Sequence, residues 1–160
     1  MKTILLVTFL WMSSCGCSQN SLRVIQSYHS KVENFLQESN LEQKNKMRDE
    51  LENYYEKSVL PEIVNIEKQI CNNNVALLLE VMQTAITDSL SGAEDLSMVL
   101  ASSFLCNAEG FKNSVYAIKI SERKILYDLC LFGLLNRLYQ EGANERDTQD
   151  AVDNLTKLFQ

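Results

Sequence analysis

The strongest hydrophobic pattern in the chain lies in residues 125–139, in the run ILYDLCLFGLLNRLY. Five apolar residues recur at helical spacing, and five more widen the stripe until only Asp128, Asn136 and Arg137 form a polar edge. A helix that is apolar almost all round is normally buried on several sides. The run is too short and too interrupted by charge to cross a bilayer. We therefore expect a central core helix here, with a lipid-facing hairpin as the alternative.

The other apolar residues form amphipathic stripes that would cover this central helix. Strand signals are nearly absent, and one Pro with five Gly in 160 residues argues against a turn-rich β fold. The pattern predicts an all-α, single-domain helical bundle of about six helices around residues 125–139. The other predicted helices are 21–38, 41–57, 61–70, 75–90, one ending near residue 106 and one following Asn144, and residues 111–120 lead into the central helix either continuously or with a break at Ser121.

Short polar residues predict where these helices begin and end. Asn40 stands three residues before Gln43, and Ser91 three before Glu94, which is the spacing of a capping box. The asparagine run 72–74 suits a left-handed C-terminal residue followed by a new N-cap. The remaining signals are Ser58 with Pro61 in a first turn, Gly142 as a stop and Asn144 as a cap.

Residues 1–17 have the features of a secretory leader. Lys2 supplies the basic end, residues 4–12 an apolar stretch and residues 13–17 a small-residue cleavage zone. The interpretation assigns residues 18–160 to the helical domain and predicts a secreted, extracellular protein. A bacterial lipoprotein leader with Cys15 as the lipidated residue is the alternative.

The charge balance bears on possible partners. The chain carries 21 Asp and Glu against 15 Lys and Arg, a net charge of −6. Removal of Lys2 with the leader would make it more negative. Such a surface is self-repelling and disfavours nucleic acid or an anionic membrane as a partner. We expect neither nucleic-acid binding nor membrane insertion.

Three cysteines, Cys71, Cys106 and Cys130, lie beyond the leader, and Cys17 depends on the cleavage point. Three cysteines in an oxidising compartment allow one bridge and one free thiol, and four allow two bridges. Cys71 and Cys106 both lie at predicted helix ends and are the disulfide candidates. Cys130 lies inside the most apolar helix, where a free thiol behaves as a small hydrophobe. The connectivity stays open at this point.

The sequence contains no recognisable catalytic or cofactor motif. It has no HExxH, no CxxC and no glycine-rich phosphate loop, and its single histidine, His29, is expected at a surface or boundary. Glu80 and Asp88 could form an acid–base pair. They are also explained as the solvated polar edge of an amphipathic helix. We predict that the protein is not an enzyme, with no catalytic residue, metal site or cofactor.

Two features concern the surface. Asn154-Leu155-Thr156 is a glycosylation sequon, which makes Asn154 a glycosylation candidate on a eukaryotic secretory route. The acidic and amide-rich run 38–56 predicts a peripheral, solvated helix that could present charge to a partner protein.

Two segments resemble class II helical cytokines, the relatives of interferon-gamma and interleukin-10. The leader ends Gly16-Cys17-Ser18-Gln19 after Cys15, similar to interferon-gamma precursors, and residues 51–61, LENYYEKSVLP, are similar to a middle helix of the interleukin-10 relatives. The basic tail of interferon-gamma and the paired cysteines of the interleukin-10 group are absent. The resemblance implies a bundle, often a homodimer formed by helix exchange, that bridges receptor chains through its first helix and a late helix. It assigns no receptor-binding residue.

The first functional hypothesis is therefore a secreted, cytokine-like protein that binds a cell-surface receptor. The second is a secreted helical carrier of a small apolar ligand, with Leu, Met and Phe side chains lining a cavity. A parasite or venom effector that shares only the architecture is the third.

Overall fold

The computed structural model describes the backbone of residues 5–87 and 93–160, and the side chains of residues 20–87 and 94–160. The chain within these ranges is helical and contains no strand, which confirms the predicted all-α class. The helices group into two compact units, Met1–Ile66 and Glu67–Gln160. In chain order the elements are α1 Leu5–Gln37, α2 Leu41–Tyr54, the π-helical turn π1 Tyr55–Val59, α3 Leu60–Cys71, α4 Val75–Thr87, α5 Ala93–Cys106, α6 Ala108–Ala117, α7 Ile120–Gln140 and α8 Glu145–Phe159.

Some predictions involve residues beyond these ranges, among them Asp88 and the predicted end, at residue 90, of the helix 75–90. Residues 1–4 of the predicted leader lie outside the described residues, and the backbone of its remaining residues belongs to α1. Ser91 of the predicted capping box also lies outside them. None of the described helices combines the length and the apolar character needed to cross a membrane.

Most predicted helix ends are confirmed by specific backbone geometry. Asn40 caps α2 by accepting a hydrogen bond from the Gln43 N–H, and Asn144 caps α8 in the same way. Asn73 has a φ of 70° and Asn74 accepts from the Leu77 N–H, so the asparagine run ends one helix and begins the next. The short Asx side chain reaches the free N–H groups of a first turn, which is why asparagine recurs here.

The predicted helix boundary at Ser58 is wrong. The chain continues from α2 through π1 directly into α3, and the Leu60 N–H donates to the Tyr55 carbonyl in the wider π pattern. Pro61, the second residue of α3, has no N–H with which to continue an α-helical ladder. The wider turn lies just before Pro61, where an α-helical hydrogen bond would be lost in any case.

In the first unit, α1 buries a narrower stripe than the pattern predicts. Leu22 and Ile25 are buried, whereas Leu36, predicted on the same face, is 62% exposed. His29 continues the stripe at helical spacing and is 2% exposed, so its predicted surface position is wrong. Histidine is intermediate between apolar and polar residues in how often it is buried, which hydrophobicity patterns do not register.

In the second unit, α5 takes the central place that the pattern gives to residues 125–139, since it contacts α4, α6 and α7. Its buried face includes Ser97, Ser102 and Ser103 beside larger apolar residues. The Ser97 and Ser103 hydroxyls each donate to a carbonyl one turn earlier in α5. The Ser102 hydroxyl lies within reach of the Met98 carbonyl and the Glu67 carboxylate, so the burial of these serines leaves no polar group unsatisfied. Small serines allow close helix packing that an apolar-residue pattern does not reveal.

The α5–α7 contact is the most extensive helix contact in the part of the chain described. It centres on Gly133, where an added Cβ would lie 2.0 Å from the Ser97 carbonyl oxygen. Only glycine allows the two backbones to approach this closely. Together with the contacts of α7 to α4 and α8, this contact buries Leu126, Cys130 and Leu134. The predicted burial on several sides therefore holds for only part of the α7 circumference.

A disulfide bond joins Cys71, at the end of α3, to Cys106, at the end of α5. These are the two cysteines that the sequence selects as candidates. The bond closes a loop across a sequence separation of 35 residues, which contains all of α4. Cys130 is a free, buried thiol, as expected.

Replacing Gly133 with alanine is expected to lower the free energy of unfolding by about 2–3 kcal/mol, because the new methyl group meets backbone atoms of α5. This loss would override the gain of about 1 kcal/mol that alanine normally gives over glycine in a helix. Urea unfolding measures the change. Gln140→Ala, which adds an alanine at an exposed position of α7, is the control and should change stability little. A Gly133→Ala protein as stable as wild type would contradict the close approach.

Removing the disulfide by Cys71→Ser with Cys106→Ser is expected to cost about 3–4 kcal/mol, the loop-closure entropy for this separation. Thermal unfolding of the double variant beside the single Cys130→Ser variant checks this. The Cys130→Ser protein keeps the disulfide, so without reductant it should lose only the stability that its buried hydroxyl costs, which is less than the double variant loses. Equal stability of the double variant and wild type would show that the bond does not constrain the unfolded chain.

Candidate protein-binding surfaces

The outward side of α7 is an apolar face without cover in the second unit. We call its five residues the α7 seam: Ile125, Leu129, Phe132, Leu135 and Tyr139. Four of them are exposed by 43–86%, and Leu129 is half-buried. Apolar residues at this density on one exposed helix face are uncommon unless another surface covers them. The hydrophobic pattern predicts these five residues as a stripe facing the core. It groups the right residues on one face of the helix, but that face lies outward and not against the core.

The charges beside the seam are compensated within α7 and its ends. Lys124 Nζ lies 3.1 Å from Asp128 Oδ2, and Arg137 Nε lies 2.7 Å from Glu141 Oε1. The helix contains three basic and two acidic residues, in a chain whose net charge is −6. The α7 seam is therefore apolar and has little net charge around it.

A polar network ties α7 to its neighbours on the buried side. Arg137 Nη1 donates to Ser102 Oγ at 2.7 Å, and Ser102 Oγ lies 2.5 Å from Glu67 Oε1. The hydroxyl, carboxylate and guanidinium satisfy one another in a half-buried position. The network fixes the rotation of α7 about its axis, and so helps to hold the α7 seam outward.

The first unit has an open groove of about 520 Å³ along α1 and α2, which we call the α1–α2 groove. Met47, Leu51 and Tyr54 give it apolar walls, and Lys31 and Lys57 stand among its polar lining. Its other lining residues are Asn34, Glu50, Asn53 and Ser58. Apolar walls surrounded by polar and charged side chains are the arrangement of a small protein-binding hot spot.

Aromatic packing fixes the wall of this groove. The Tyr28 ring of α1 stacks on Tyr54 at 6.4 Å and lies 5.2 Å from the ring of Tyr55, the first residue of π1. Lys31 Nζ stands 5.4 Å from the centre of the Tyr54 ring, in the range of a cation–π contact. The remainder of α2 has no buried residue, as the predicted peripheral helix requires. The ring stack thus holds Tyr54 in place on an otherwise solvated helix.

The predicted glycosylation candidate lies in the second unit. Asn154 is exposed on α8 while Leu155 beside it is fully buried, so the two sequon neighbours face opposite ways. Asn154 also lines a depression of about 590 Å³ shared with α5 and α6. A glycan at Asn154 would stand over that depression.

Little in the described residues points to bond-making chemistry. No three His, Cys, Asp or Glu side chains among them are grouped closely enough to hold a metal ion. Burial raises the pKa of the Cys130 thiol well above its ordinary value, because the ionised form would lose its hydration. Cys130 therefore stays protonated and is a poor nucleophile.

Comparison with protein-family models, curated proteins and solved structures finds no match to this chain.

The Cys130 thiol is expected to resist iodoacetamide in the native protein at pH 8 and to react on unfolding, since it is both inaccessible and protonated. Peptide mapping by mass spectrometry locates the label. The same protein in guanidinium chloride is the control for intrinsic reactivity. Alkylation of native Cys130 at the rate found in the denaturant would contradict the buried position.

Proposed function

We propose that the chain is a secreted, cytokine-like helical protein that binds a cell-surface receptor through the α1–α2 groove. The groove is the observation that carries this proposal. It combines apolar side chains with a charged rim on a helix that is otherwise solvated, and it is large enough to take side chains of a partner.

The rim gives the groove an electrostatic preference. The lining residues include two lysines, Lys31 and Lys57, and one carboxylate, that of Glu50. The groove is thus locally basic in an acidic chain. An acidic residue beside an aromatic or aliphatic anchor on the receptor would complement it, since opposite charges at a rim steer association.

The rigidity of the groove also supports recognition of a folded partner. Tyr54 is stacked on Tyr28 and covered by Lys31, so little side-chain freedom remains to be lost on binding. The π-helical turn follows Tyr54 directly and continues into the next helix. A preformed surface of this kind suits a signalling protein that acts by presenting a rigid binding surface to its receptor.

Three features support the extracellular compartment. Residues 1–17 have the composition of a leader, Cys71 and Cys106 form a disulfide, and the Asn154 sequon is exposed. Disulfides persist mainly in oxidising compartments. A protein made on the secretory route would meet receptors at the cell surface.

The test is a binding screen of the protein, purified as secreted, against a panel of receptor ectodomains by surface plasmon resonance. We expect saturable binding to a defined ectodomain. Lys31→Glu and Tyr54→Ala should each raise its Kd roughly tenfold or more, because each removes part of one small hot spot.

Arg146→Glu is the matched control, since it makes the same charge reversal at an exposed position of α8. It should leave the Kd unchanged. Circular dichroism of each variant checks the fold. Absence of saturable binding together with co-purified lipid would favour the apolar-ligand carrier and overturn the proposal, as would groove variants that bind like wild type.

A further inference from the structure

We propose that the α7 seam is a homodimer interface, in which two copies of the chain pair their α7 helices antiparallel about a two-fold axis through Phe132. The inference concerns the second unit alone and is independent of the α1–α2 groove.

The spacing of the seam is compatible with this symmetry. Ile125 and Tyr139 each lie seven residues, or about two helical turns, from Phe132. In an antiparallel pair centred on Phe132, Ile125 of one copy faces Tyr139 of the other, and Phe132 faces Phe132. Leu129 and Leu135, three residues to either side, lie on opposite edges and shield the centre. The seam is thus its own complement, as a two-fold interface requires.

Charge favours a second copy over an oppositely charged partner. An acidic chain repels its copies over most of its surface. Around the α7 seam this repulsion is small, because Lys124 pairs with Asp128 and Arg137 with Glu141 within each copy. A surface built for a basic or acidic partner would keep uncompensated charge for it. The apolar, internally neutralised seam is suited to a surface of the same kind.

The area of the seam limits the affinity of the two copies for each other. From Ile125 to Tyr139 it spans about 21 Å along the helix axis. A contact between two single helices of that length buries less than the roughly 1,200 Å² of a standard stable interface. We therefore infer a weak dimer, with a dissociation constant in the micromolar range or above. Such a dimer would form where the local concentration of the protein is high.

Sedimentation velocity over the low to high micromolar range tests the association of the protein purified as secreted. Wild type should shift from monomer to dimer, and Phe132→Lys should raise the dissociation constant roughly tenfold or more. Tyr139→Lys, at a residue 86% exposed and therefore outside the core, should act in the same direction. Leu41→Lys, at a residue 74% exposed on α2, is the matched control and should dimerise like wild type.

Single cysteines test the geometry. Phe132→Cys should form a disulfide-linked dimer on mild oxidation, because two copies of residue 132 meet on the axis. Ile125→Cys and Tyr139→Cys should cross-link poorly alone and well when mixed with each other. A parallel pair would instead cross-link each variant with itself.

Three results would overturn the inference. The first is a wild-type protein that stays monomeric at every concentration. The second is a dimer that Phe132→Lys and Tyr139→Lys leave intact, which exchange of other helices would give. The third is the cross-linking pattern of a parallel pair. Receptor binding measured with the monomeric Phe132→Lys protein is a separate readout. Its loss or survival leaves the dimer result standing, so failure of this inference and of the proposed function are distinguishable.

Discussion

The close approach of α5 and α7 at Gly133 is the constraint on which the second unit depends. The two backbones meet where a Cβ would lie 2.0 Å from the Ser97 carbonyl oxygen, so the rotation of α7 is fixed by a missing side chain. Leu126 and Leu134 then face inward by necessity. The partly buried Arg137–Ser102 bond secures the same rotation from the next turn. Because α7 packs against α4 and α8 as well as α5, its apolar residues are divided between these contacts and the outward seam.

The outward seam and the α1–α2 groove show two ways in which a small helical protein can build an interaction surface. The seam is apolar, with its flanking charges neutralised on the same helix, which suits self-association. The groove keeps Lys31 and Lys57 on its rim and a stacked Tyr54 on its wall, which suits a distinct partner. A dimer formed through α7 would present two such grooves, and two weak contacts on one assembly give a larger apparent affinity.

Sequence pattern was sufficient for the helices and most of their ends, because those depend on local chemistry. Asn40, Asn144 and the αL residue Asn73 act through bonds within one turn. The hydrophobic pattern was not sufficient to predict which apolar face of a helix is buried, since α7 is apolar nearly all round. That choice depends on small residues, Gly133 on α7 and the serines of α5, which hydrophobicity scales score as neutral or polar. The burial of His29 was missed for the same reason, and the groove because it depends on how two successive helices pack against each other.

The central claim is that the contact at Gly133 turns the seam of α7 outward. Hydroxyl-radical footprinting in dilute solution, where the chain is monomeric, tests it most directly by measuring the solvent access of each α7 side chain. The account predicts rapid oxidation of Phe132 and Tyr139, and protection of Leu126 and Leu134. Protection of Phe132 equal to that of Leu134 in the monomer would contradict it, because α7 would then be rotated or covered from within its own chain.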